Sequence, residues 1–327
     1  MKKILLIGGA GYVGSMLALN FLSKGYHVKI YDLLIYQSKI LEHTNDKLKV
    51  IKGDIRDVGN LLEHSKDADI IIHLACISND PSFELDPKLG KSINLDCFEP
   101  FIKGLHKFKN KKFIYASSSS VYGLKSEKNV TEESSLEPLT DYSKFKAECE
   151  KILFSYNNDS LTKVVVRPAT VCGYSLRQRL DVVVNIFANL AYNEKKIRVN
   201  GGSQLRPNIH INDMVRAYDL IAKTENKLLK NKIYNVGTEN ISLTDIAKKV
   251  NDVADFDVDI SFVETSDNRS YHISSEKIKE ELNFNFSHSV EEAVEDLFEA
   301  FRTNLLVDPL NNEDYFNIKK MNQLRLQ

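Results

Sequence analysis

Apolar residues fall in short runs, and the first run sets the plan of the chain. Ile4-Leu5-Leu6-Ile7 ends in a glycine cluster, and Met16, Leu17, Leu19, Phe21 and Leu22 follow with amphipathic helical spacing. Strand, tight turn, helix is the expected local structure. His27 to Tyr31 and Leu48 to Ile51 read as further strands, Val58 to Ser65 as a helix, and Asp69 to Ala75 as a largely apolar strand. A loop from Ser78 to Pro87 leads into one long helix, about Lys88 to Lys107. The strand Lys112 to Ala116 runs into four serines, Ser117 to Ser120. A helix from Asp141 to about Tyr156, with Thr140 as N-cap, precedes the strand Lys163 to Val166. Strands alternating with helices in this way imply an α/β fold, a doubly wound parallel sheet covered on both faces.

Beyond Thr170 the rhythm changes. An apolar helix (Asp181 to Tyr192) precedes a short strand and the turn Gly201-Gly202. Ile209 to Ile211 and Lys232 to Val236 read as strands around a helix from Asn212 to Ala222. Helices follow at Leu243 to Val253, Ser275 to Leu282 and Ser289 to Arg302, and the tail from Asn304 to Gln327 is polar. The expected division is a cofactor-binding domain over 1–174 plus about 208–255, with an interleaved α+β substrate lobe over about 175–207 and 256–327.

The glycines carry the first chemistry. Gly9-x-Gly11-x-x-Gly14 and Gly8-x-x-Gly11-x-x-Gly14 both fit dinucleotide fingerprints. Glycine serves where the backbone turns sharply and where a pyrophosphate must approach the main chain. The helix N-terminus, with Tyr12 and Val13 in its first turn, then presents N–H groups to the phosphates. The second strand ends in Asp32, with Leu33 and Leu34 next and no basic residue beside it. A carboxylate there accepts from a ribose 2′-hydroxyl and repels a 2′-phosphate, so the expected cofactor is NAD rather than NADP, on a Rossmann-type sheet.

Composition narrows the partners. A formal net charge of −1 with dispersed basic residues gives no nucleic-acid footprint. No apolar run approaches the roughly 20 residues that span a bilayer, and the first run reads as a core strand, so a cytoplasmic protein is expected. Cys76, Cys97, Cys149 and Cys172 lack metal spacing and read as reduced thiols, and no metal is expected.

Tyr142 and Lys146 lie four residues apart on a helix and therefore share a face. A tyrosine hydroxyl with a pKa of about 10 is a poor base at neutral pH, but a neighbouring ammonium favours the phenolate. Together with GGAGYVGS, Asp54-Ile55, HLAC at His73 to Cys76, SSSSVYG at Ser117 to Gly123, Arg167-Pro-Ala-Thr-Val-Cys-Gly173 and Arg206-Pro-Asn-Ile-His210, this pair resembles the extended short-chain dehydrogenase/reductase family in motif and order. The resemblance implies a nucleotide-sugar enzyme. Under it, Asp54 and Ile55 touch the adenine, Leu74 and Ala75 line the path to the nicotinamide, Tyr142 also meets the cofactor, and Lys146 holds the nicotinamide ribose. Ser118 hydrogen-bonds the substrate oxygen, Tyr142 removes its proton, and a hydride passes from the sugar, at C4, to NAD. Ser119, Thr170, Arg206 and Arg269 are the corresponding substrate contacts, the arginines for the diphosphate. Arg177 and Arg179 either contact the substrate or start a helix, and the helix start is the favoured reading.

Departures from the family pattern shape the expectation. Where its 4,6-dehydratases carry acidic residues after the catalytic Ser/Thr, this chain has Ser119 and Ser120, which disfavours water loss. Ile7 replaces the usual Thr, Thr170 the usual Asn, Tyr174 the usual Pro and Pro207 the usual Asp. The expected function is NAD-dependent oxidation at C4 of a nucleotide-linked sugar, with GDP-manno-heptose of capsule polysaccharide biosynthesis as the specific guess. A 4-epimerase acting through a 4-keto intermediate is the alternative. A non-catalytic NAD(H)-binding regulator is the reading from another class, and the presence of both Tyr142 and Lys146 counts against it. Relatives pair through a four-helix bundle. The matching helices carry Ile93, Phe98, Phe101, Ile102, Phe145, Ile152 and Leu153, so a homodimer is expected.

Overall fold

The computed structural model describes residues 2–78, 80–125, 127, 129–156, 161–265, 270 and 272–324. The first half runs β1 (Lys3–Ile7), α1 (Tyr12–Ser23), β2 (His27–Asp32), β3 (Leu48–Lys52), α2 (Val58–Ser65), β4 (Ile70–His73), α3 (Asp80–Glu84), α4 (Pro87–Lys91), α5 (Phe98–Leu105), β5 (Lys111–Ala116), α6 (Asp141–Ser155) and β6 (Leu161–Pro168). The second half runs β7 (Thr170–Cys172), α7 (Val183–Glu194), β8 (Lys196–Asn200), β9 (Leu205–His210), α8 (Ile211–Lys223), β10 (Lys232–Val236), β11 (Glu239–Ser242), α9 (Leu243–Val253), β12 (Asp259–Val263), α10 (Glu276–Leu282), α11 (Val290–Arg302) and α12 (Asn317–Leu324).

Seven strands form a parallel sheet in the order β10-β6-β5-β4-β1-β2-β3. Alternation along each strand sends side chains to opposite faces. Leu6, Ile30, Ile72, Ile114 and Val166 meet α1 and α8 on one face, while Leu5, Ile7, Ile71, Phe113 and Val165 meet α2, α5 and α6 on the other. The winding reverses between β1 and β4, so their C-terminal ends open a crevice, the usual ligand position of such sheets.

Two features differ from the sequence reading. The long helix expected over about 88–107 is broken by a π-helical turn at Ser92–Asp96, where buried Asn94 turns inward to the backbone of Ile77 (2.8 and 2.9 Å). Pro100, with no N–H to give, falls in the first turn of the restarted α5. The loop over 78–87 contains α3, and Asp86 caps α4.

The small lobe adds a β11-β9-β7 sheet, a β12-β8 pair and a third core between α7, α9 and α11. Helix α9 belongs to that core, because Ile246, Ala247 and Val250 face α7 and α11. Conversely, Ile278 of α10 and Met321 of α12 pack into the two cores that flank the large sheet. The polar tail is thus docked on the cofactor side. Among the described residues no helix is long and apolar enough to cross a membrane.

Candidate active site

The crevice is a cleft of about 530 Å³, floored by the glycine loop and walled by the ends of β4 and β5, α6 and the segment after β7. Gly8 has φ +80°, and a Cβ there would sit 2.6 Å from the Ala75 nitrogen, while one on Gly14 would sit 2.4 Å from the Gly8 carbonyl. These two glycines let strand, loop and helix touch. Gly11 is different: a Cβ there meets only the Gly8 carbonyl at 3.3 Å, so this face of the loop is open. Gly11 is also the N-cap of α1, with no side chain bonded to the first-turn amides and no acidic residue among them. A bare backbone and free N–H groups at a helix start fit the pyrophosphate of a dinucleotide.

The other expected cofactor contacts divide. Asp32 lines the cleft, accepting from the amides of Ala10 (3.0 Å) and Leu34 (2.9 Å), and burial raises its pKa. Tyr12, Val13, Ile55, Leu74 and Ala75 also line it, and Leu74 and Ala75 are held there by bonds from their amides to the Ile7 carbonyl (2.8 and 2.9 Å). The Tyr12 hydroxyl is spent on the Gly173 carbonyl at 2.6 Å, which leaves only its backbone for a ligand. Asp54 is turned away. Its carboxylate is gripped by Arg56 at 2.7–3.1 Å, and it is not among the lining residues.

Ser118, Tyr142 and Lys146 converge on one wall. Ser118 is the N-cap of a short 3₁₀ turn just past β5, with its hydroxyl 2.8 Å from that of Ser120. Tyr142 enters from the first turn of α6, which Thr140 and Ser143 fix in a capping box. Lys146 is 3% exposed, donates to the Ala116 carbonyl at 2.7 Å, and holds its ammonium 5.8 Å from the centre of the Tyr142 ring. Burial pushes the Tyr142 hydroxyl well above its ordinary pKa, Cys76 and Asp80 add to this, and Arg179 and the Ser118 hydroxyl oppose it.

On the substrate side, Ser119, Thr170 and Arg206 line the cleft, and Arg269 lies outside the described residues. Arg177 and Arg179 do not start a helix. They stand in the cleft wall, Arg177 buried against the ring of Tyr36 at 3.7 Å and Arg179 partly buried on Asp181 at 2.8 Å. Asn317 and Met321 of α12 line the same wall. No local signal in the sequence links a residue beyond position 310 to this loop. The pair Arg177-x-Arg179, two like charges close together just after the Gly173 turn, was the readable hint.

The sequence profile described as the NAD dependent epimerase/dehydratase family matches residues 4–237. The chain is 33% identical over 275 residues to the dTDP-D-glucose 4,6-dehydratase of Dictyostelium discoideum, covering 76% of this chain but only 62% of that protein. It is 26% identical over 271 residues to the UDP-glucose 4-epimerase of Lactobacillus helveticus, covering 76% and 81%. The crystal structure of UDP-glucuronic acid 4-epimerase from Bacillus cereus, with UDP-glucuronic acid and NAD, superposes with a TM-score of 0.82 at 25% identity, over 92% of this chain and 99% of that one.

Proposed function

This chain belongs to the NAD-dependent epimerase/dehydratase family, and we propose that it oxidises C4 of a nucleotide-linked sugar. The observation that carries the reading is the meeting of Ser118, Tyr142 and Lys146 in one cleft with the open face of Gly11. NAD bound on the glycine loop supplies the acceptor for the hydrogen lost from C4. Ser118 orients the C4 oxygen by a hydrogen bond, and Tyr142 takes its proton as general base. Lys146, tethered to Ala116, keeps a positive charge beside the ring, and Arg179 acts in the same direction, against the burial that favours the phenol.

The narrower form of the proposal is net oxidation of a GDP-manno-heptose. The second reading is 4-epimerisation through the same residues, favoured by the epimerases among the similar proteins. Ser119 and Ser120 place no carboxylate beside Ser118, which argues against water loss. The test is a panel of UDP-, dTDP- and GDP-linked hexoses and heptoses, with products resolved by mass. A product lighter by two hydrogens with NADH appearing supports the dehydrogenase, and an isomer of unchanged mass supports the epimerase. Loss of water overturns both.

A homodimer through α5 and α6 has limited apolar surface to build on. Phe98, Phe101, Ile102 and Leu153 are consumed by the protein's own core, leaving Phe145 and Ile152 half-buried among exposed charges such as Lys144 and Lys151. The molar mass in solution tests it.

A further inference from the structure

The reaction above uses Arg179 only for its charge and Arg177 not at all, and each guanidinium keeps a donor without an acceptor among the described residues. Arg177 is 2% exposed, donates through Nη2 to the Asn317 side-chain oxygen at 2.7 Å, and has no hydrogen-bond partner for Nε among the described residues. Arg179 donates through Nε to Asp181 at 2.8 Å, and its Nη2 likewise lacks a partner. Both side chains line the cleft. Buried donors without acceptors are costly, about 1–3 kcal/mol in general, so a ligand acceptor is expected here. Both nearby carboxylates face other donors. Asp32 already accepts two loop amides, and Asp181 accepts Arg179 and the Asn317 amide (2.9 Å).

The place of these donors identifies the ligand. The loop that carries them is bonded to the first turn of α1. Tyr12 donates to the Gly173 carbonyl, and Ser175 donates to the Tyr12 carbonyl at 2.6 Å and meets Ser15 at 3.2 Å. Gln178 fastens the loop by accepting from the Ser175 amide at 2.9 Å. The arginines thus stand beside the uncapped amides of α1 and the bare face of Gly11, with Arg177 at the Asp32 and Tyr36 end. Two sets of unsatisfied donors border one space, and an anion with oxygens on opposite sides satisfies both.

We propose that Arg177 and Arg179 are a second jaw that holds the diphosphate of the dinucleotide against the glycine loop, and that Asn317 is the positioning residue for Arg177. The proposal rests on NAD as the cofactor and not on the identity of the sugar. Asn317 is 4% exposed and joins three pieces: it accepts from Arg177, its amide donates to Asp181, and its side-chain nitrogen donates to Ser78 at 2.9 Å. Ser78 follows β4 on the cofactor side, so α12 fastens the arginine loop to the large sheet. The consequence is a cofactor retained through purification and turnover.

The diphosphate of a nucleotide sugar has the same chemistry, so the test separates the two sources. Arg177→Gln, Arg179→Gln, the double variant and Asn317→Ala are purified full-length. NAD content as isolated, NAD affinity after stripping, UDP affinity and the ligand-free melting temperature are then measured by quantitation, calorimetry and thermal denaturation. Each arginine variant is expected to weaken NAD about tenfold and the double variant about a hundredfold, with UDP affinity unchanged. Asn317→Ala is expected to lower NAD retention with both arginines present and UDP affinity unchanged, a split that general loosening of the fold does not produce. Arg177→Lys, which keeps the charge and loses the fork, is expected to recover part of the loss and guards against a Gln variant that fails to fold. Unchanged NAD affinity in all the folded variants overturns the proposal, as does a loss confined to UDP. A wild-type protein that neither carries nor binds NAD overturns the cofactor reading itself.

Discussion

Arg167 and Glu150 form an ion pair inside the protein, Nη2 to Oε2 at 2.6 Å, with only 3% and 4% of their side chains exposed. The Ser117 hydroxyl donates to the same carboxylate, and Arg167 also donates to the Tyr122 hydroxyl at 2.6 Å, which donates in turn to Asn235 at 2.6 Å. Glu150 lies one helical turn beyond Lys146 on α6. The pair therefore ties the helix that carries Tyr142 and Lys146 to the end of β6, and Ser117 ties the end of β5, just before Ser118, to the same carboxylate. Arg167→Met leaves the carboxylate buried and unpaired, and the unfolding free energy is expected to drop by about 3–5 kcal/mol. Urea denaturation measures it, and a loss below about 1 kcal/mol means the pair is not the tie described.

The catalytic wall predicts a separation of rate from cofactor binding. Tyr142→Phe and Ser118→Ala are expected to lower kcat by about 10²–10⁴ with NAD affinity unchanged, because neither hydroxyl is needed to fill the glycine loop. Since burial holds the Tyr142 phenol above its usual pKa, the wild-type rate should climb toward alkaline pH. Steady-state kinetics across pH check both. A Tyr142→Phe enzyme with full activity refutes the assignment of the base.

His73 predicts an acid limit to stability. It is 4% exposed in a ring of Phe98, Phe101, Phe113 and Tyr115, where burial, helped by the Lys146 charge, pushes its pKa from 6.5 down to about 3. Between those values the unfolded chain binds a proton that the folded protein refuses, so stability rises with pH there. The contribution is complete above about pH 6.5 and is lost as pH falls toward 3. Melting temperatures of wild type and His73→Leu between pH 7 and pH 4 test this, and the variant should show the flatter profile.

The glycine loop predicts two kinds of damage. Gly14→Ala drives a Cβ to 2.4 Å from the Gly8 carbonyl and is expected to lower the melting temperature, whereas Gly11→Ala meets one atom at 3.3 Å. The second variant should fold almost normally and bind NAD about tenfold more weakly, because its methyl occupies the face offered to the diphosphate. Calorimetry with NAD distinguishes them, and equal NAD affinity in Gly11→Ala and wild type contradicts the cradle.

Much of the sheet was legible because short continuous apolar runs bounded by turn residues, such as Ile4 to Ile7 before the glycine cluster and Ile70 to Ile72, fit buried parallel strands. The Tyr142 and Lys146 pairing followed from helical spacing alone. What escaped the sequence depended on tertiary choices. The break at Ser92–Asp96 exists because Asn94 finds a buried backbone partner in Ile77, far along the chain in contact terms and silent in periodicity. The placing of α9 with α7 and α11 hinges on which core its apolar stripe meets, and an amphipathic pattern does not say. Arg177 and Arg179 read as a helix start because charged residues are usually solvated, and the burial of Arg177 requires Tyr36 and Asn317, brought from 140 or so residues away on either side.

The most direct test of the central claim uses a nucleotide sugar that the enzyme turns over, deuterated at C4. Turnover is expected to slow on deuteration, with the label carried to the nicotinamide in net oxidation or returned to C4 of the epimer. Product formation at an unchanged rate, with the C4 deuterium never exchanged with the nicotinamide pool or transferred, would contradict oxidation at C4 as the function of Ser118, Tyr142 and Lys146.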